Sequence, residues 1–384
     1  MSDKKALSGA HLVVYLPDLA GGGAERLHLG LAPVFIAAGL QVTFLVHRRR
    51  GELLNVVPAD VRVVSLDAAR PLAALPRLVA FLRRERPEFL VANAEHMNIV
   101  AIWAKRLSAA PTRVVVVQHN ALSRQAERPG VQFKALPLLY RRFLRRADAI
   151  VAVSHGVARE LEAICRLDPG SVQAVHNGVV DQRFAARAAA PVAHPWLDGR
   201  AGVLIAVGRM VAQKDHATLI RALARAVETR DLRLVILGDG PLRGELSSLA
   251  ASLGVADRVD MPGFVENPLP FISRSAALVL SSRFEGFGNV LAEALACGAQ
   301  TVSTNCPFGP SEILADGRFG RLTPVGDPES MAKAILLALD EPIDPGLLRS
   351  RGAAFSTQAC ASQYLSMFDG LARSPPAKRG PRRG

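Results

Sequence analysis

Residues 11–46 read HLVVYLPDLAGGGAERLHLGLAPVFIAAGLQVTFLV. The apolar runs from His11 to Leu16 and from Gln41 to Val46 have the length and the valine content of buried strands. Between them, residues 24–38 carry apolar side chains at helical spacing, and Gly39 closes the helix. Because two parallel strands joined by a helix make a βαβ unit, this stretch predicts an α/β fold with a parallel sheet.

The same alternation of strand-like and helical segments continues along the 384 residues, of which 49% are hydrophobic. A chain of this length can bury two ordinary cores. The segment from Phe184 to Arg200 is rich in Ala and Pro and has no clean period, which is typical of a linker. We therefore expect two domains, residues 1–185 and 186–370, followed by a disordered basic tail at 371–384.

Two glycine loops, at residues 21–26 and 238–243, follow predicted strands and are candidates for dinucleotide binding. In both loops an arginine, Arg26 or Arg243, occupies the place where the third glycine of that fingerprint allows a helix to pack closely on a strand. Neither loop therefore predicts a dinucleotide cofactor.

Cysteine spacing, the length of apolar runs, net charge and aromatic content exclude several classes of protein. The four cysteines have no paired short spacing, so we expect neither a zinc knuckle nor a disulfide framework, and a reducing cytoplasm is the simple inference. We expect neither a signal peptide nor a membrane span, since no apolar run approaches the ~20 residues that cross a bilayer. The net charge of +13 favours an acidic membrane face or a nucleic acid, and the 5% aromatic content argues against the latter.

Glu285 and Glu293 lie eight residues apart in SRFEGFGNVLAE, residues 282–293, between a strand-like run and a helix that stops at Gly298. Glycines let the backbone approach a ligand, and the first N–H groups of a helix favour an anion. Carboxylates accept hydrogen bonds from hydroxyl groups. The segment therefore predicts a ligand with phosphates and many hydroxyls, which a sugar nucleotide provides.

A second motif precedes it, in which strand-like residues 203–207 are followed by Gly208-Arg209 and then by Lys214. Arg offers a planar fork to phosphate oxygens and Lys offers a point charge, so the two together can hold a diphosphate and stabilise it as it leaves. Two solvated loop cations are the alternative interpretation.

Both motifs resemble those of the retaining glycosyltransferases of family 4, in the family's order. The resemblance covers about Leu12 to Phe368 and implies the GT-B fold: two Rossmann-like domains whose parallel sheets face each other across an interdomain cleft, with the last helix crossing back to the first domain. It also implies that Glu293 binds the ribose hydroxyls and Glu285 a hydroxyl of the donor sugar. The sequence departs from the family at Asp215-His216, where glycine is common, and an acidic neighbour would soften the positive potential at Lys214.

The resemblance assigns further residues. Gly22-Gly23-Ala24-Glu25 matches a family loop that faces the donor phosphates and the acceptor, and His119 follows a strand after which the family places a histidine that contacts the transferred sugar. The expected catalytic residues are Glu285, His119, Arg209 and Lys214. The expected donor-binding residues are Gly22, Gly23, Gly208, Arg209, Lys214, Gly238, Phe264, Glu285, Gly286, Phe287, Gly288, Asn289 and Glu293, and the acceptor-site candidates are Glu25, Glu95, His96 and Asn98.

The family resemblance implies transfer of a hexose or N-acetylhexosamine from a nucleotide-diphosphate sugar, with UDP favoured, to a glycan or lipid-linked acceptor of the cell envelope. A sugar-nucleotide epimerase of the same fold and a non-catalytic polyanion-binding protein are the alternatives. Glycoside hydrolysis would use two carboxylates but has no need of the Gly-Arg…Lys loop. We expect activity without a cofactor or a metal, because no His/Cys cluster or Asp-x-Asp pair suits a divalent ion.

Residues 136–146 add an expected partner. Leu136, Leu139, Tyr140, Phe143 and Leu144 follow helical spacing beside four arginines, which predicts a basic amphipathic helix. We expect this helix, with basic residues of the tail, to dock a cytoplasmic enzyme on the anionic inner face of the plasma membrane. The alternative is that the apolar stripe is an ordinary core contact.

Overall fold

The computed structural model of the chain describes residues 7–126, 134–197 and 202–374. These residues form two compact α/β units. The first takes the chain up to Gly178 and again from Thr357 onward, and the second runs from Val179 to Ser356. The sequence places the boundary at residue 185, whereas the structure divides the chain after Gly178. The structure groups the final helix with the first unit, as the family resemblance implies.

Seven strands form the sheet of the first unit: β1 (His11–Leu16), β2 (Gln41–Val46), β3 (Arg62–Ser65), β4 (Phe89–Ala92), β5 (Arg113–Gln118), β6 (Ala149–Ala152) and β7 (Gln173–Ala174). All pair in parallel, in the order β3-β2-β1-β4-β5-β6-β7. The helices are α1 (Gly23–Ala37), α2 (Pro71–Glu85), α3 (Glu95–Ser108), α4 (Leu122–Ala126), α5 (Leu136–Phe143), α6 (His155–Cys165) and the last helix, α15 (Thr357–Arg373).

Aromatic packing fastens α15 to the first unit. Phe368 stacks on Phe89 of β4 with 4.7 Å between ring centroids, and Tyr364 meets Phe35 of α1 edge to face at 6.2 Å. All four side chains are almost fully buried. Because each such burial stabilises by about 1.5–3 kcal/mol, α15 is an integral part of this core.

Six strands form the sheet of the second unit: β8 (Val203–Val207), β9 (Arg233–Leu237), β10 (Val259–Gly263), β11 (Ala277–Leu280), β12 (Gln300–Thr304) and β13 (Arg321–Thr323). They too are all parallel, in the order β10-β9-β8-β11-β12-β13. The helices are α7 (Phe184–Ala189), α8 (His216–Ala226), α9 (Arg243–Ser252), α10 (Leu269–Ser273), α11 (Asn289–Cys297), α12 (Pro310–Leu314), α13 (Pro328–Asp340) and α14 (Pro345–Ala353). The two Rossmann-like sheets confirm the predicted fold class.

The predicted linker is wrong at residues 184–189, which form a helix. Helix α7 lies within it and is held by the second unit, since Asn267 Nδ2 donates to the Arg187 carbonyl at 2.9 Å and Ser273 Oγ to the Ala188 carbonyl at 3.0 Å. Residues 198–200 of the predicted linker lie outside the described residues. The predicted tail starts too early, because α15 continues to Arg373, and residues 375–384 again lie outside the described residues.

The predicted membrane helix corresponds to α5 and a short 3₁₀ turn at Leu144–Arg146. Leu136, Tyr140 and Leu144 are completely buried, so this part of the apolar stripe is a core contact. Among residues 7–126, 134–197 and 202–374, no helix has both the length and the hydropathy that a bilayer span requires.

Candidate functional site

The second unit has a switch point between β8 and β11, the two strands from which the strand order runs in opposite directions. In open α/β sheets, the loops that follow such strands part and leave a crevice at the carboxyl ends, where ligands bind. The loop after β8 carries Gly208, Arg209 and Lys214, and the loop after β11 carries Glu285. The topology therefore brings together the two motifs that the sequence singled out.

The Gly208-Arg209 loop is supported by the turn after β9. The Gly208 N–H donates to the Leu237 carbonyl at 2.9 Å, and the Met210 N–H donates to the Asp239 carbonyl at 2.9 Å. Gly238 has φ +146°, and a Cβ there would lie 2.1 Å from the Gly208 carbonyl oxygen, so this close approach requires glycine. Arg209 is exposed and forms no salt bridge with any residue that the structure describes.

Lys214 and Glu285 form an ion pair, with 2.6 Å between Nζ and Oε1. The Ser282 hydroxyl donates to the same oxygen at 2.6 Å. The side chains of Lys214 and Glu285 are only 20% and 9% exposed, and Ser282 is fully buried. Since Oε1 already accepts two hydrogen bonds, Oε2 is the oxygen that this carboxylate can offer to a ligand.

Three further hydrogen bonds join the two loops. Ser281 Oγ donates to the Lys214 carbonyl at 2.8 Å, Gln213 Nε2 to the Phe284 carbonyl at 3.0 Å, and the Arg283 N–H to the Gln213 carbonyl at 2.8 Å. These bonds fix the backbone on both sides of the ion pair. The cluster is thus pre-organised, which favours stabilisation of charge without reorganisation.

The structure also explains the departure at Asp215. Its φ of +46° lies in the left-handed region, where glycine is the common residue. Its carboxylate pairs with Arg283 at 3.1 Å. The neighbouring His216 is buried, and burial, assisted by the charge of Lys214, lowers its pKa to about 4. The expectation that an acidic neighbour softens the charge of Lys214 is therefore weakened, because Arg283 neutralises that carboxylate.

Helix α11 begins directly after the Glu285 loop. Gly288, with φ +99°, occupies the N-cap, so the first backbone N–H groups of the helix follow Gly286 and Phe287. Glu293 is the fifth residue of the helix and therefore lies at the start of its second turn. Phe264 follows Gly263, whose carbonyl accepts a hydrogen bond from the Gly238 N–H at 2.8 Å, and its ring is 69% exposed.

The first unit has its own switch point, between β1 and β4. Gly22 and Gly23 lie after β1, and the Glu25 carboxylate folds over Gly22, where a Cβ would lie 2.2 Å from Glu25 Oε2. Burial raises the pKa of Glu25 above its usual value. Glu95 and His96, at the start of α3, are partly exposed.

Asn98 is not available to an acceptor. It is fully buried, and its Nδ2 donates to the Val117 carbonyl and to the Tyr140 hydroxyl, both at 3.0 Å. Its assignment to the acceptor site is therefore wrong, because the polar group that the sequence displays is used inside the core.

His119 follows β5 and is partly buried. Its Nε2 lies 3.3 Å from Asn93 Oδ1, and His28 Nε2 of α1 lies 2.6 Å from the same oxygen. Burial, with a contribution from the charge of His28, lowers the pKa of His119 to about 3. The ring is therefore neutral at pH 7.

The sequence analysis missed four residues that support these sites: Ser282, Gln213, Asn93 and His28. Two of them could have been found from the sequence. Ser282 lies three residues before Glu285, and Asn93 is the first polar residue after a buried strand, where functional groups collect in such sheets. His28 and Gln213 gave no signal, because their partners lie 65 and 71 residues away.

Both halves of the chain match models of glycosyltransferase families. The family model for Glycosyltransferase Family 4 matches residues 21–183, and the model for Glycosyl transferases group 1 matches residues 201–341. An N-acetylgalactosamine-N,N'-diacetylbacillosaminyl-diphospho-undecaprenol 4-alpha-N-acetylgalactosaminyltransferase of Campylobacter jejuni is 27% identical over 344 residues, which cover 86% of this chain and 90% of that protein. The lipopolysaccharide core biosynthesis glycosyltransferase LpsE of Rhizobium meliloti is 29% identical over 372 residues, which cover 90% of this chain and 96% of that protein.

Solved structures give the same fold. A glycosyltransferase from Rickettsia africae superposes with a TM-score of 0.78 at 15% identity, covering 96% of this chain and all of that chain. The Anabaena protein HepE, in complex with UDP, superposes with a TM-score of 0.75 at 18% identity, covering 94% of this chain and all of that chain.

Proposed function

Because the chain belongs to the family 4 glycosyltransferases with the GT-B fold, we propose that it is a retaining hexosyltransferase that uses a nucleotide-diphosphate sugar. The acceptor we propose is a glycan or lipid-linked glycan of cell-envelope polysaccharide or glycolipid synthesis. The observation that carries the proposal is the cluster of Lys214, Glu285 and Ser282 beside the exposed Arg209 at a switch point.

The cluster suits the departure of a nucleoside diphosphate. Negative charge grows on the leaving phosphates as the glycosidic bond breaks, and Arg209 and the remaining N–H groups of Lys214 can donate to it. The first N–H groups of α11 favour the same anion. Losing one such donor costs about 3 kcal/mol of transition-state stabilisation in other enzymes.

The carboxylates suit the hydroxyls of the donor. We assign Glu285 Oε2 to a hydroxyl of the sugar, Glu293 to the ribose and the glycine turns at Gly208 and Gly238 to close backbone approach. We assign His119 a contact with the transferred sugar, and Glu25, Glu95 and His96 to the acceptor. Because cations already neutralise the diphosphate in this scheme, it requires no divalent metal and no cofactor.

The relatives support the choice of substrates. The Campylobacter protein is named for transfer of N-acetylgalactosamine to a diphospho-undecaprenol glycan, and the Rhizobium protein for lipopolysaccharide core biosynthesis. UDP is bound in the Anabaena structure. A UDP-sugar donor and a lipid-linked or polysaccharide acceptor are therefore the first combination to test.

The donor is tested by thermal denaturation with UDP-, GDP- and ADP-sugars, in wild type and in Arg209→Ala. A ligand at 100 times its Kd stabilises by ~2.7 kcal/mol, so the true donor raises the Tm and Arg209→Ala reduces the rise. An equal response to all three nucleotides contradicts a specific UDP-sugar donor, and an undiminished rise in the variant contradicts the assignment of this loop.

The reaction is tested with the radiolabelled donor, with and without a lipid extract. Transfer predicts label in the lipid or glycan fraction only when the acceptor is present. A labelled isomeric sugar nucleotide formed without an acceptor would identify an epimerase instead, and binding of polyanions with no turnover would identify a non-catalytic protein.

Membrane docking belongs to the proposed function in a corrected form. Leu136, Tyr140 and Leu144 lie in the core, and Leu139 and Phe143 of the same stripe are partly buried. The exposed residues of segment 136–146 are Leu138, at 71% exposure, and Arg141, Arg142, Arg145 and Arg146. Each such charge contributes about 1 kcal/mol near an anionic bilayer. We therefore place the enzyme in the cytoplasm, held reversibly on the inner face of the plasma membrane mainly by charge. The tail residues Lys378, Arg379, Arg382 and Arg383, which the sequence analysis adds to this surface, lie outside the described residues.

A further inference from the structure

Asn93 is a buried polar residue at the switch point of the first unit. It directly follows β4, is 4% exposed and accepts hydrogen bonds from two imidazoles, the buried His28 and the partly buried His119. Both histidines bond to the same oxygen, Oδ1, of this amide. Neither bond is needed to end strand β4, so the arrangement calls for another explanation. Its neighbours determine which way the amide faces and therefore where the protons lie.

The orientation of the Asn93 amide follows from two backbone carbonyls. Its Nδ2 lies 3.2 Å from the Val91 carbonyl oxygen and 3.5 Å from the Tyr15 carbonyl oxygen. Carbonyl oxygens only accept hydrogen bonds, so the NH₂ group must face them and Oδ1 must face the imidazoles. An inverted amide would place an oxygen against two oxygens and two donors against the ring nitrogens.

The protons of His119 follow from that orientation. Oδ1 can only accept, so Nε2 of His119 must carry the hydrogen, as must Nε2 of His28. In a neutral imidazole the other nitrogen is then an acceptor. Among the residues that the structure describes, none forms a hydrogen bond with Nδ1 of His119, so this acceptor is not used within the first unit.

We propose that Asn93 is a positioning residue for catalysis: it holds His119 in the neutral form protonated at Nε2, so that Nδ1 accepts a hydrogen bond from a hydroxyl of the sugar. This proposal rests on the proposed function for the identity of the ligand. The proton assignment does not, because it follows from the amide, the two carbonyls and the two rings. A protonated His119 would have no acceptor to offer, and the other tautomer would leave Nε2 without its hydrogen bond to Asn93.

The proton assignment is tested by ¹⁵N NMR of the histidine ring nitrogens in the full-length protein at pH 7, with His119 identified by its loss in His119→Gln. We expect one protonated nitrogen, Nε2, and one unprotonated nitrogen, Nδ1. A proton on Nδ1, alone or together with Nε2, overturns the proposal whether or not any sugar transfer has been found.

The positioning role is tested with Asn93→Leu and a matched control, Asn98→Leu. Both remove a buried amide from the same unit, but Asn98 bonds to Val117 and Tyr140 and has no bond to His119. We expect Asn93→Leu to mix the two tautomers and to lower kcat by about 10- to 100-fold, the range seen for partners that orient metal-bound histidines. Asn98→Leu should leave the tautomer unchanged.

The outcomes separate this proposal from the proposed function. If Asn93→Leu folds and keeps both a single tautomer and the wild-type kcat, Asn93 is only structural and the proposal fails. If that variant does not fold, the wild-type spectrum alone decides the proton assignment. A wild-type protein with the expected tautomer but no transfer from any nucleotide sugar would instead refute the proposed function.

Discussion

Replacing Glu285 by Gln separates the charge of this side chain from its hydrogen bonds. Glu285 Oε1 accepts from Lys214 Nζ and from Ser282 Oγ, both at 2.6 Å. A glutamine oxygen can accept both bonds, so Glu285→Gln preserves the cluster and removes the negative charge. In Glu285→Ala the fully buried Ser282 hydroxyl loses its acceptor, whereas Lys214, at 20% exposure, can still reach water.

The two variants should therefore differ in stability. An unsatisfied buried hydroxyl costs about 1–3 kcal/mol, which lowers the Tm of a domain of this size by roughly 4–8 °C for a loss near 2 kcal/mol. We expect that decrease in Glu285→Ala and a decrease of less than about 3 °C in Glu285→Gln.

Activity should fall in both variants. A hydrogen bond to a charged group is worth about 1.5–3 kcal/mol, so its loss lowers kcat/KM for the donor by roughly 10- to 150-fold. The assay is steady-state transfer from the nucleotide sugar, with thermal denaturation of each protein. Glu329→Gln is the matched control, because Glu329 forms an exposed pair with Lys333 at 3.0 Å in the same unit. A Glu285→Gln protein that turns over within threefold of wild type would refute the role of this carboxylate.

Four further outcomes are expected. Glu293→Ala should raise the KM for the donor and leave kcat within about threefold, because uniform binding is lost; a selective fall in kcat contradicts a ribose contact. EDTA should leave turnover unchanged, and a loss restored only by Mg²⁺ or Mn²⁺ would overturn metal-independent transfer. Burial lowers the pKa of His28 and His216 to about 4, so the unfolded chain binds more protons below pH 6.5. Stability should accordingly fall between about pH 6.5 and 4, by about 2 kcal/mol per histidine at pH 5, and His28→Gln or His216→Gln should reduce that slope in denaturant titrations. Vesicle flotation should show salt-sensitive binding to anionic and not to neutral lipid, and equal binding to both kinds of vesicle would contradict electrostatic docking. Binding should weaken in the variant that carries glutamine at Arg141, Arg142, Arg145 and Arg146.

Buried parallel strands were the most predictable part of the fold. The strands His11–Leu16, Gln41–Val46 and Val203–Val207 have the predicted bounds, because strands covered on both faces are continuous apolar runs between polar loops. The folded helix at Phe184–Ala189 was not predictable in the same way. Its partners Asn267 and Ser273 lie 80 and 85 residues away from the carbonyls they bind, so the composition of residues 184–200 cannot indicate these contacts.

The candidate site also contains residues that the sequence predicts and residues that it does not. Glycines at Gly238 and Gly288 could be predicted, because backbone turns with positive φ leave a local mark in the sequence. The assignment of Asn98 was wrong, since a polar residue in the first turn of a helix that follows a strand is equally a ligand contact or a core hydrogen bond. Only the fold shows that its amide is used by Tyr140 and Val117.

The pairing of Lys214 with Glu285 joins two motifs that the sequence presents separately, 71 residues apart. The sequence assigns Lys214 to the phosphates and Glu285 to the sugar, and each assignment taken alone allows the two charges to act independently. In the structure they share a bond, so a change at either residue alters the other's charge environment. A lysine carries three N–H donors, and one of them is used by Glu285. In the function that we propose, the two that remain bind phosphate while the first holds the carboxylate in place, so that Lys214 would act on both halves of the donor. Effects of Lys214→Ala and Glu285→Ala on transfer should therefore be less than additive, as they are for residues that work as one unit.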